Sequence, residues 1–223
     1  MVRMKIPPEM VLFDCDGVLV DSEPLTARVL VDNLARHGLS LTHDQLSDMF
    51  LGGTMMGMEE QARALGADLP KTWLEDTYDE VFAVLAAHVE PVAGIVPVLD
   101  ALERAAVPFA VGSNGPHRKM EITLSRTGLA PRFNSRIYSR EDVARPKPAP
   151  DVYLKAATDA GISPNRCIVI EDSANGARAA KAAGMYCLGF AADTPPGKLL
   201  PVVDAIFHTM EDLPALLGLS GTR

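Results

Sequence analysis

The chain has 223 residues, of which 48% are hydrophobic and 5% aromatic, and its formal net charge is −8 at pH 7. These values are typical of a globular protein, and a negative charge without a basic stripe argues against nucleic acid or an anionic membrane surface as a partner. No apolar run approaches the length of a membrane-spanning helix, so no association with a membrane is expected.

The cysteines and the amino-terminal residues indicate the cellular compartment in which the protein is expected. The chain has three cysteines, Cys15, Cys167 and Cys187, and no CxxC pair, which favours buried, reduced thiols and a cytoplasmic location. Residues 1–8 lack the apolar core and the small-residue cleavage site of a signal peptide. Burial and flanking carboxylates raise the pKa of a thiol, so we expect Cys15 to pack rather than react. No feature indicates an obligate protein partner.

The first predicted element is a buried strand near the amino terminus. Its apolar run leads into Asp14-Cys15-Asp16-Gly17, which is a turn signal. Because side chains alternate along a strand, Asp14 and Asp16 start on the same side of it. Two crowded carboxylates repel each other unless a cation or a proton separates them, and open α/β sheets bind ligands at this end of a strand. A solvated turn without a ligand is the alternative.

Residues 22–90 have a different character, because they are rich in Ala, Leu, Met, Glu and Asp and lack β-branched runs. This pattern predicts a series of helices separated by glycine and proline turn signals. The predicted helices span residues 24–37, 42–49, 55–65 and 70–87. We interpret this block as an all-helical insertion between the first strand and the remainder of the fold.

From residue 91 onward, predicted strands and helices alternate. The predicted strands are 107–112, 135–138, 167–170 and 185–190, the predicted helices are 96–106, 115–127, 150–160 and 173–183, and one short strand and helix follow. Alternation of this kind is typical of a parallel sheet with helices on both faces. The sequence therefore predicts an α/β fold with an inserted helical domain.

Three later segments carry polar residues where predicted elements end. Ser113-Asn114-Gly115-Pro116 follows a strand and opens a helix, and its hydroxyl, amide and exposed N–H groups suit an anion. Lys147 lies between two prolines, which restrict its backbone and aim its ammonium group. Glu171-Asp172 ends another strand with a second carboxylate pair. Helix capping or a solvated loop would also explain each segment taken alone.

The order of these segments resembles that of the haloacid dehalogenase superfamily over nearly the whole chain. The helical insertion directly after the first motif is similar to the subgroup that contains β-phosphoglucomutase and small sugar-phosphate phosphatases. The run SNGPHRKM at 113–120 also resembles bacterial phosphatases of the 6-phosphogluconate type. This resemblance implies a Rossmann-like catalytic core at residues 1–21 and 91–223, with a helical cap domain at residues 22–90.

The same resemblance implies a chemical role for each motif residue. Asp14 would be the nucleophile that becomes an aspartyl phosphate, and Asp16 would be the general acid and then the general base. Ser113, the Asn114 backbone and Lys147 would bind the phosphoryl oxygens. The expected partner is a small phosphorylated substrate, such as a sugar phosphate or a sugar-acid phosphate.

The resemblance further implies a Mg²⁺ cofactor. Asp14, Asp172 and the backbone carbonyl of Asp16 would hold the ion, and Glu171 would be a further ligand or a partner of the ligands. Residues 20–23 and 88–94 would act as hinges of the cap. The loop at 50–58 is expected to face the site and select the substrate, although clustered methionines also serve as core filler.

Two departures from the resembled subgroup bear on the reaction class. Phosphoglucomutase-like members carry a His where this chain has Thr26, and an Arg in the cap loop where it has Met55. Without a cationic cap residue, a second phosphate on the substrate loses its clamp. Val18 follows the mutase-like pattern instead. We therefore expect a phosphatase, with a sugar phosphomutase as the alternative and a silent phosphometabolite sensor as a third, less favoured hypothesis.

Overall fold

The computed structural model describes residues 8–50, 55–192 and 194–219. The chain forms two compact units: Met1–Val20 together with Pro91–Arg223, and Asp21–Glu90. Within the described residues, no helix has the length and apolar character that a membrane crossing requires.

The larger unit is built on a parallel sheet, and the described residues contribute six strands in the order β3-β2-β1-β4-β5-β6. Strand β1 lies between β2 and β4, so it is covered on both edges as well as on both faces. All residues of β1, β2 and β4 are buried, which explains their continuous apolar runs. The strands are β1 Met10–Phe13, β2 Phe109–Ser113, β3 Ile137–Ser139, β4 Cys167–Glu171, β5 Tyr186–Phe190 and β6 Ala205–Phe207.

Helices connect successive strands of this sheet, as the alternating pattern predicts, and the predicted α/β fold class is confirmed. A core cluster joins the middle of the sheet to the two helices that precede and follow β4. The smaller unit contributes helices α1 Glu23–Arg36, α2 His43–Phe50, α3 Met55–Ala64 and α4 Trp73–His88. The larger unit contributes α5 Ile95–Arg104, α6 His117–Arg126, α7 Asp151–Asp159, α8 Ala174–Ala182, α9 Pro196–Leu199 and α10 Leu213–Leu216.

One boundary differs from its prediction in a way that matters for the site. The predicted helix over residues 115–127 puts Pro116 in its first turn. In the structure Pro116 lies at the N-cap with an extended backbone, φ −68° and ψ 155°, and α6 begins at His117. The prediction is wrong because proline fixes φ alone, and its ψ remains open to the extended region. Gly115 therefore belongs to a loop, where its N–H is available to Ser113.

The smaller unit has a core of its own around Trp73, with Leu30, Leu34 and Leu46 among its buried members. A buried polar contact sets the packing of α1 against α4, because the Trp73 Nε1–H donates to Asn33 Oδ1 at 2.6 Å. The Asn33 amide in turn donates to Glu80 at 2.9 Å. A buried indole N–H without an acceptor is costly, so this contact favours one helix pairing over others.

The three cysteines are free and buried, as predicted. Burial first, and then the carboxylates of Asp16 and Asp14, raise the pKa of the Cys15 thiol well above its ordinary value. Burial and then Glu9 raise the pKa of Cys167 to about 11. Burial also raises the pKa of Cys187, with Glu171 as the next cause. Since the thiolate is the reactive form, all three thiols are expected to be inert near neutral pH.

We expect native protein at pH 8 to react with Ellman's reagent about a hundredfold more slowly than protein unfolded in guanidinium, in which all thiols titrate normally. A raised pKa moves the reactive thiolate to higher pH, so the native rate should rise as pH approaches 11. Stopped-flow absorbance measures both rates, and the unfolded sample is the control. One thiol that reacts rapidly in the native protein at pH 8 would contradict this assignment.

Candidate active site

The predicted site residues meet at the carboxyl edge of the sheet because their strands are neighbours. Asp14 directly follows β1, whose Phe13 is in register with Val111 of β2 and with Ile170 of β4. Ser113 and Glu171 are the last residues of β2 and β4. Parallel strands end on the same side of a sheet, so three strand ends deliver a carboxylate, a hydroxyl and a second carboxylate to one place.

Lys147 joins two of these strand ends. Its ammonium nitrogen lies 2.5 Å from Asp14 Oδ1 and 2.7 Å from Glu171 Oε1, and its side chain is only 3% exposed. The attraction of both carboxylates outweighs the effect of burial and raises the pKa of Lys147. The ammonium group is therefore charged and shared between two carboxylates in a buried setting, where charge-assisted hydrogen bonds are strong.

Asn114 holds the backbone of Lys147 from the neighbouring loop. Its Oδ1 accepts from the Lys147 N–H at 2.8 Å, and its amide donates to the Lys147 carbonyl at 3.1 Å. The sequence offered the Asn114 amide as a donor for an anion and its backbone as a phosphate ligand, and in the structure the amide donates to the Lys147 carbonyl. The Asn114 side chain has the further task of placing the lysine loop against the loop that follows β2.

The hydroxyl of Ser113 is buried and accepts a hydrogen bond from the Gly115 N–H at 2.9 Å. The carbonyl of Gly115 in turn accepts a hydrogen bond from the Ser139 hydroxyl at 2.7 Å. Since Ser113 Oγ accepts this bond, its own O–H is left to act as a donor. The loop thus presents the Ser113 hydroxyl as a donor at the end of β2.

Glu171 is a fully buried carboxylate whose two oxygens accept four hydrogen bonds. Oε1 accepts from Lys147 at 2.7 Å and from the Tyr153 hydroxyl at 2.9 Å. Oε2 accepts from the N–H and the hydroxyl of Ser173, at 3.0 and 2.8 Å. A carboxylate offers about four acceptor positions, so these four donors fill its hydrogen-bonding capacity.

Asp14, Glu171 and Asp172 form an acidic cluster in which one ligand oxygen from each lies within 4.8 Å of the others. Burial raises the pKa of Asp14 to about 7; Lys147 opposes this rise, and Glu171 and Asp16 add to it. The concentration of carboxylates creates a negative potential that a bound cation would neutralise. Oxygen donors of this kind fit a hard divalent cation such as Mg²⁺.

Gly17 allows Asp172 to approach the loop after β1. It has φ +74°, and a Cβ at this position would lie 2.0 Å from Asp172 Oδ2. Any other residue would therefore be strained in its backbone and would displace this carboxylate. The glycine of the first motif is required by the second acidic pair, which is 155 positions later in the chain.

Lys119 lies beside Asp16, and the sequence interpretation gave it no role. Its ammonium lies 2.8 Å from Asp16 Oδ1. Burial alone would lower the pKa of Lys119, but the ion pair and hydrogen bond with Asp16 outweigh it and raise the pKa. The run SNGPHRKM contains the signal for this lysine. Side chains in the first turn of a helix lean toward its N-terminus, and the N-terminus of α6 follows the loop after β2.

The predicted substrate-selecting loop is only partly described. Residues 51–54 and the side chain of Phe50 lie outside the described residues. Met55 and Met58 are buried in the core of the smaller unit, in agreement with the core-filler alternative, whereas Met56 is 61% exposed.

The sequence model of the haloacid dehalogenase-like hydrolases matches residues 8–184. The 6-phosphogluconate phosphatase of Escherichia coli K12 is 30% identical over 210 residues, covering 93% of this chain and 94% of that protein. The N-acetylmuramic acid 6-phosphate phosphatase of Pseudomonas aeruginosa is 33% identical, covering 82% of this chain and 81% of that protein.

Among solved structures, a hydrolase of Deinococcus radiodurans with bound phosphate and sodium is similar over most of its length. It is 33% identical, with a TM-score of 0.81, and the match covers 96% of this chain and 97% of that protein. Both chains therefore share the sheet and its connections.

Gly176 is expected to be intolerant of alanine because a Cβ there would lie 1.5 Å from Glu171 Oε1. Alanine normally stabilises a helix interior relative to glycine, by about 1 kcal/mol. In α8 the overlap with Glu171 should make alanine destabilising instead. We expect Gly176→Ala to lower the free energy of unfolding by about 2–3 kcal/mol in guanidinium titration.

Gly197→Ala is the matched control, because a Cβ at Gly197 meets nothing within 4 Å. It should leave the free energy of unfolding unchanged or slightly higher. Equal effects of the two substitutions would show that Glu171 does not occupy the place assigned to it.

Proposed function

The chain belongs to the haloacid dehalogenase-like hydrolase family and is a phosphatase, and on that premise we propose that it hydrolyses a sugar phosphate or sugar-acid phosphate through a phosphorylated aspartate, with Mg²⁺ as cofactor. The observation that carries this proposal is the buried contact of Lys147 with Asp14, 2.5 Å long, at the carboxyl edge of the sheet. It supports the proposal because it holds an ammonium group that could bind phosphate beside the carboxylate that would act as nucleophile. The phosphorylated sugar acids named for these two relatives support this substrate class.

Asp14 is the proposed nucleophile. Lys147 holds one of its oxygens, so the carboxylate has a fixed orientation toward an incoming phosphorus, as in-line attack requires. An Asp14 oxygen forms a bond to phosphorus while the bond from phosphorus to the ester oxygen breaks. The ester oxygen leaves with that electron pair and takes a proton from Asp16.

Asp16 then acts as the base in the second half of the reaction. It removes a proton from water as the water oxygen attacks phosphorus, and the bond between phosphorus and Asp14 breaks. Inorganic phosphate is released, and both aspartates return to their starting states. Lys119, 2.8 Å from Asp16 Oδ1, supports this role by orienting the carboxylate that transfers the proton.

Ser113, the Asn114 backbone and Lys147 are the proposed ligands of the other phosphoryl oxygens. Phosphoryl transfer places charge on these oxygens, and donors fixed before the reaction stabilise that charge. The support is structural: Gly115 orients the Ser113 hydroxyl, and the Asn114 side chain anchors Lys147.

Asp14, Asp172 and the backbone carbonyl of Asp16 are the proposed ligands of Mg²⁺. When bound, the ion would screen the charge of the phosphoryl group from that of Asp14. Glu171, for which the sequence left two roles open, is assigned here to holding Lys147. The four hydrogen bonds that its oxygens accept support this assignment.

The domain roles follow from the same proposal. Residues 1–21 and 91–223 form the catalytic core, which contains every side chain assigned a chemical role above. Residues 22–90 form the cap domain, the part of the chain in which substrate selection is expected to reside. The three free, buried thiols support a cytoplasmic location.

We expect purified protein with Mg²⁺ to release phosphate from one or more members of a panel of sugar, sugar-acid and other small phosphate esters. Asp14→Asn should reduce release by at least about a thousandfold, since no nucleophile remains, and EDTA should also abolish it. Asp32→Asn, a change at an exposed carboxylate, is the control and should leave release unchanged. Malachite green detects the phosphate.

Release that persists in Asp14→Asn would overturn the aspartyl-phosphate route. Interconversion of sugar phosphates that needs a bisphosphate activator and frees no phosphate would identify the phosphomutase instead.

Lys119→Met is expected to lower kcat by about tenfold or more and to change KM less, because Asp16 loses the partner that orients it. The loss in kcat/KM should be larger for alkyl esters than for p-nitrophenyl phosphate, whose leaving group departs without a proton. Lys119→Arg should retain part of the rate. Lys155→Met, at an exposed lysine paired with Asp159, is the control. An equal loss of kcat/KM for both ester types in Lys119→Met would count against the assignment.

A further inference from the structure

We propose that Tyr153 is a positioning residue for the phosphate-binding lysine: its ring and its hydroxyl together fix the Lys147 ammonium and the Glu171 carboxylate. The inference rests on the proposed function, in which Lys147 contacts the transferred phosphoryl group. It adds a residue that none of the sequence motifs contains and that touches neither substrate nor metal in that mechanism.

The ring of Tyr153 lies against the ammonium group. Lys147 Nζ is 4.6 Å from the ring centroid, within the range of a cation–π interaction. Tyr153 is fully buried in the first turn of α7, and Lys147 is buried with it. Since both side chains are buried, the ring offers the ammonium a neutral surface beside its carboxylate partners.

The hydroxyl of Tyr153 contacts Glu171, the second partner of the Lys147 ion pair. It donates to Glu171 Oε1 at 2.9 Å, the oxygen that also accepts from Lys147 at 2.7 Å. Burial, followed by Glu171 and Asp14, raises the pKa of the phenol well above its ordinary value, so the hydroxyl keeps its proton and remains a donor. One side chain therefore orients both members of an ion pair.

Gly112 provides the space that this arrangement needs. A Cβ at Gly112 would lie 2.9 Å from Cε1 and 3.0 Å from Cδ1 of the Tyr153 ring. Gly112 directly precedes Ser113 in β2, so the ring packs on the strand that carries the phosphate-binding hydroxyl. The lysine, the serine and the tyrosine are thereby held in one packed group.

A lysine needs such a support more than an arginine would. Its ammonium is a point charge on a flexible four-carbon stem, and no planar fork sets its direction. Two carboxylates attract the ammonium group of Lys147, but attraction alone does not select the position from which it also reaches a phosphoryl oxygen. The tyrosine ring restricts the positions open to the ammonium group and favours the one from which it reaches the phosphoryl oxygen.

The test compares Tyr153→Phe and Tyr153→Leu with Val152→Ala in the full-length protein. Val152 is the adjacent residue of α7, is equally buried and belongs to the same core cluster, but it makes no contact with Lys147 among the described interactions. For each variant we would measure kcat and KM, competitive inhibition by inorganic phosphate, the Mg²⁺ concentration for half-activation, and the free energy of unfolding.

We expect kcat/KM to fall about threefold to tenfold in Tyr153→Phe, which keeps the ring, and about thirtyfold in Tyr153→Leu, which loses both contacts. The inhibition constant of phosphate should rise in the same order, while half-activation by Mg²⁺ should stay within about twofold. Val152→Ala should lower the free energy of unfolding and leave kcat/KM, the inhibition constant of phosphate and half-activation by Mg²⁺ unchanged. Unfolding measurements separate the two effects, and Tyr153→Phe remains informative even if Tyr153→Leu does not fold.

Kinetic values of the Tyr153 variants equal to those of Val152→Ala would overturn the inference and reduce Tyr153 to core packing. An equal rise in the Mg²⁺ requirement would also overturn it, since the tyrosine would then act on the metal through Glu171. Failure of the proposed function looks different: the wild type would release no phosphate, or Asp14→Asn would release as much as the wild type.

Discussion

The site depends on one interaction, the buried lysine ammonium shared by two carboxylates. Removing charges from water is costly, and an ion pair in a protein interior is stable only when every partner is present and further hydrogen bonds complete the set. Here Lys147 contacts Asp14 and Glu171, and Glu171 has three additional donors from Tyr153 and Ser173. The Asn114 side chain fixes the lysine backbone. The surrounding loops are therefore organised by the need to satisfy this cluster.

Three glycines show how tightly the cluster is packed, because each stands where a side-chain atom of another residue needs the space of a Cβ. Gly17 faces Asp172, Gly176 faces Glu171 and Gly112 faces the ring of Tyr153. A carboxylate that approaches a backbone this closely has few alternative rotamers. The glycines thus contribute to preorganisation, which is what phosphoryl transfer requires of a protein that supplies mainly positioning and electrostatics. Two of them, Gly17 and Gly112, meet side chains that are distant in the chain.

Much of the fold could be predicted because the sheet has a simple physical signature. Buried parallel strands appear as short apolar runs, and each is followed by a helical pattern, so the elements were predicted with small boundary errors. The start of α6 was misplaced because proline leaves ψ open, as Pro116 shows. The strand-end residues Asp14, Ser113 and Glu171 were also found by this logic. Lys119 was noted in a motif without a role, and Tyr153 was absent, since a buried tyrosine in an apolar helix face resembles ordinary core.

The sequence by itself determined the fold class, the segments that carry polar residues at strand ends, and the family that their order resembles, because these are local patterns or matters of order along the chain. The tertiary structure decided which of these side chains contact one another. Only strand order shows that β1 lies between β2 and β4, and only packing shows that the Glu171 oxygens are occupied by four donors and that Asp16 faces Lys119. Hydrogen-bond capacity and ion pairing depend on distances of a few ångströms between residues far apart in sequence, and local propensity carries no information about those distances.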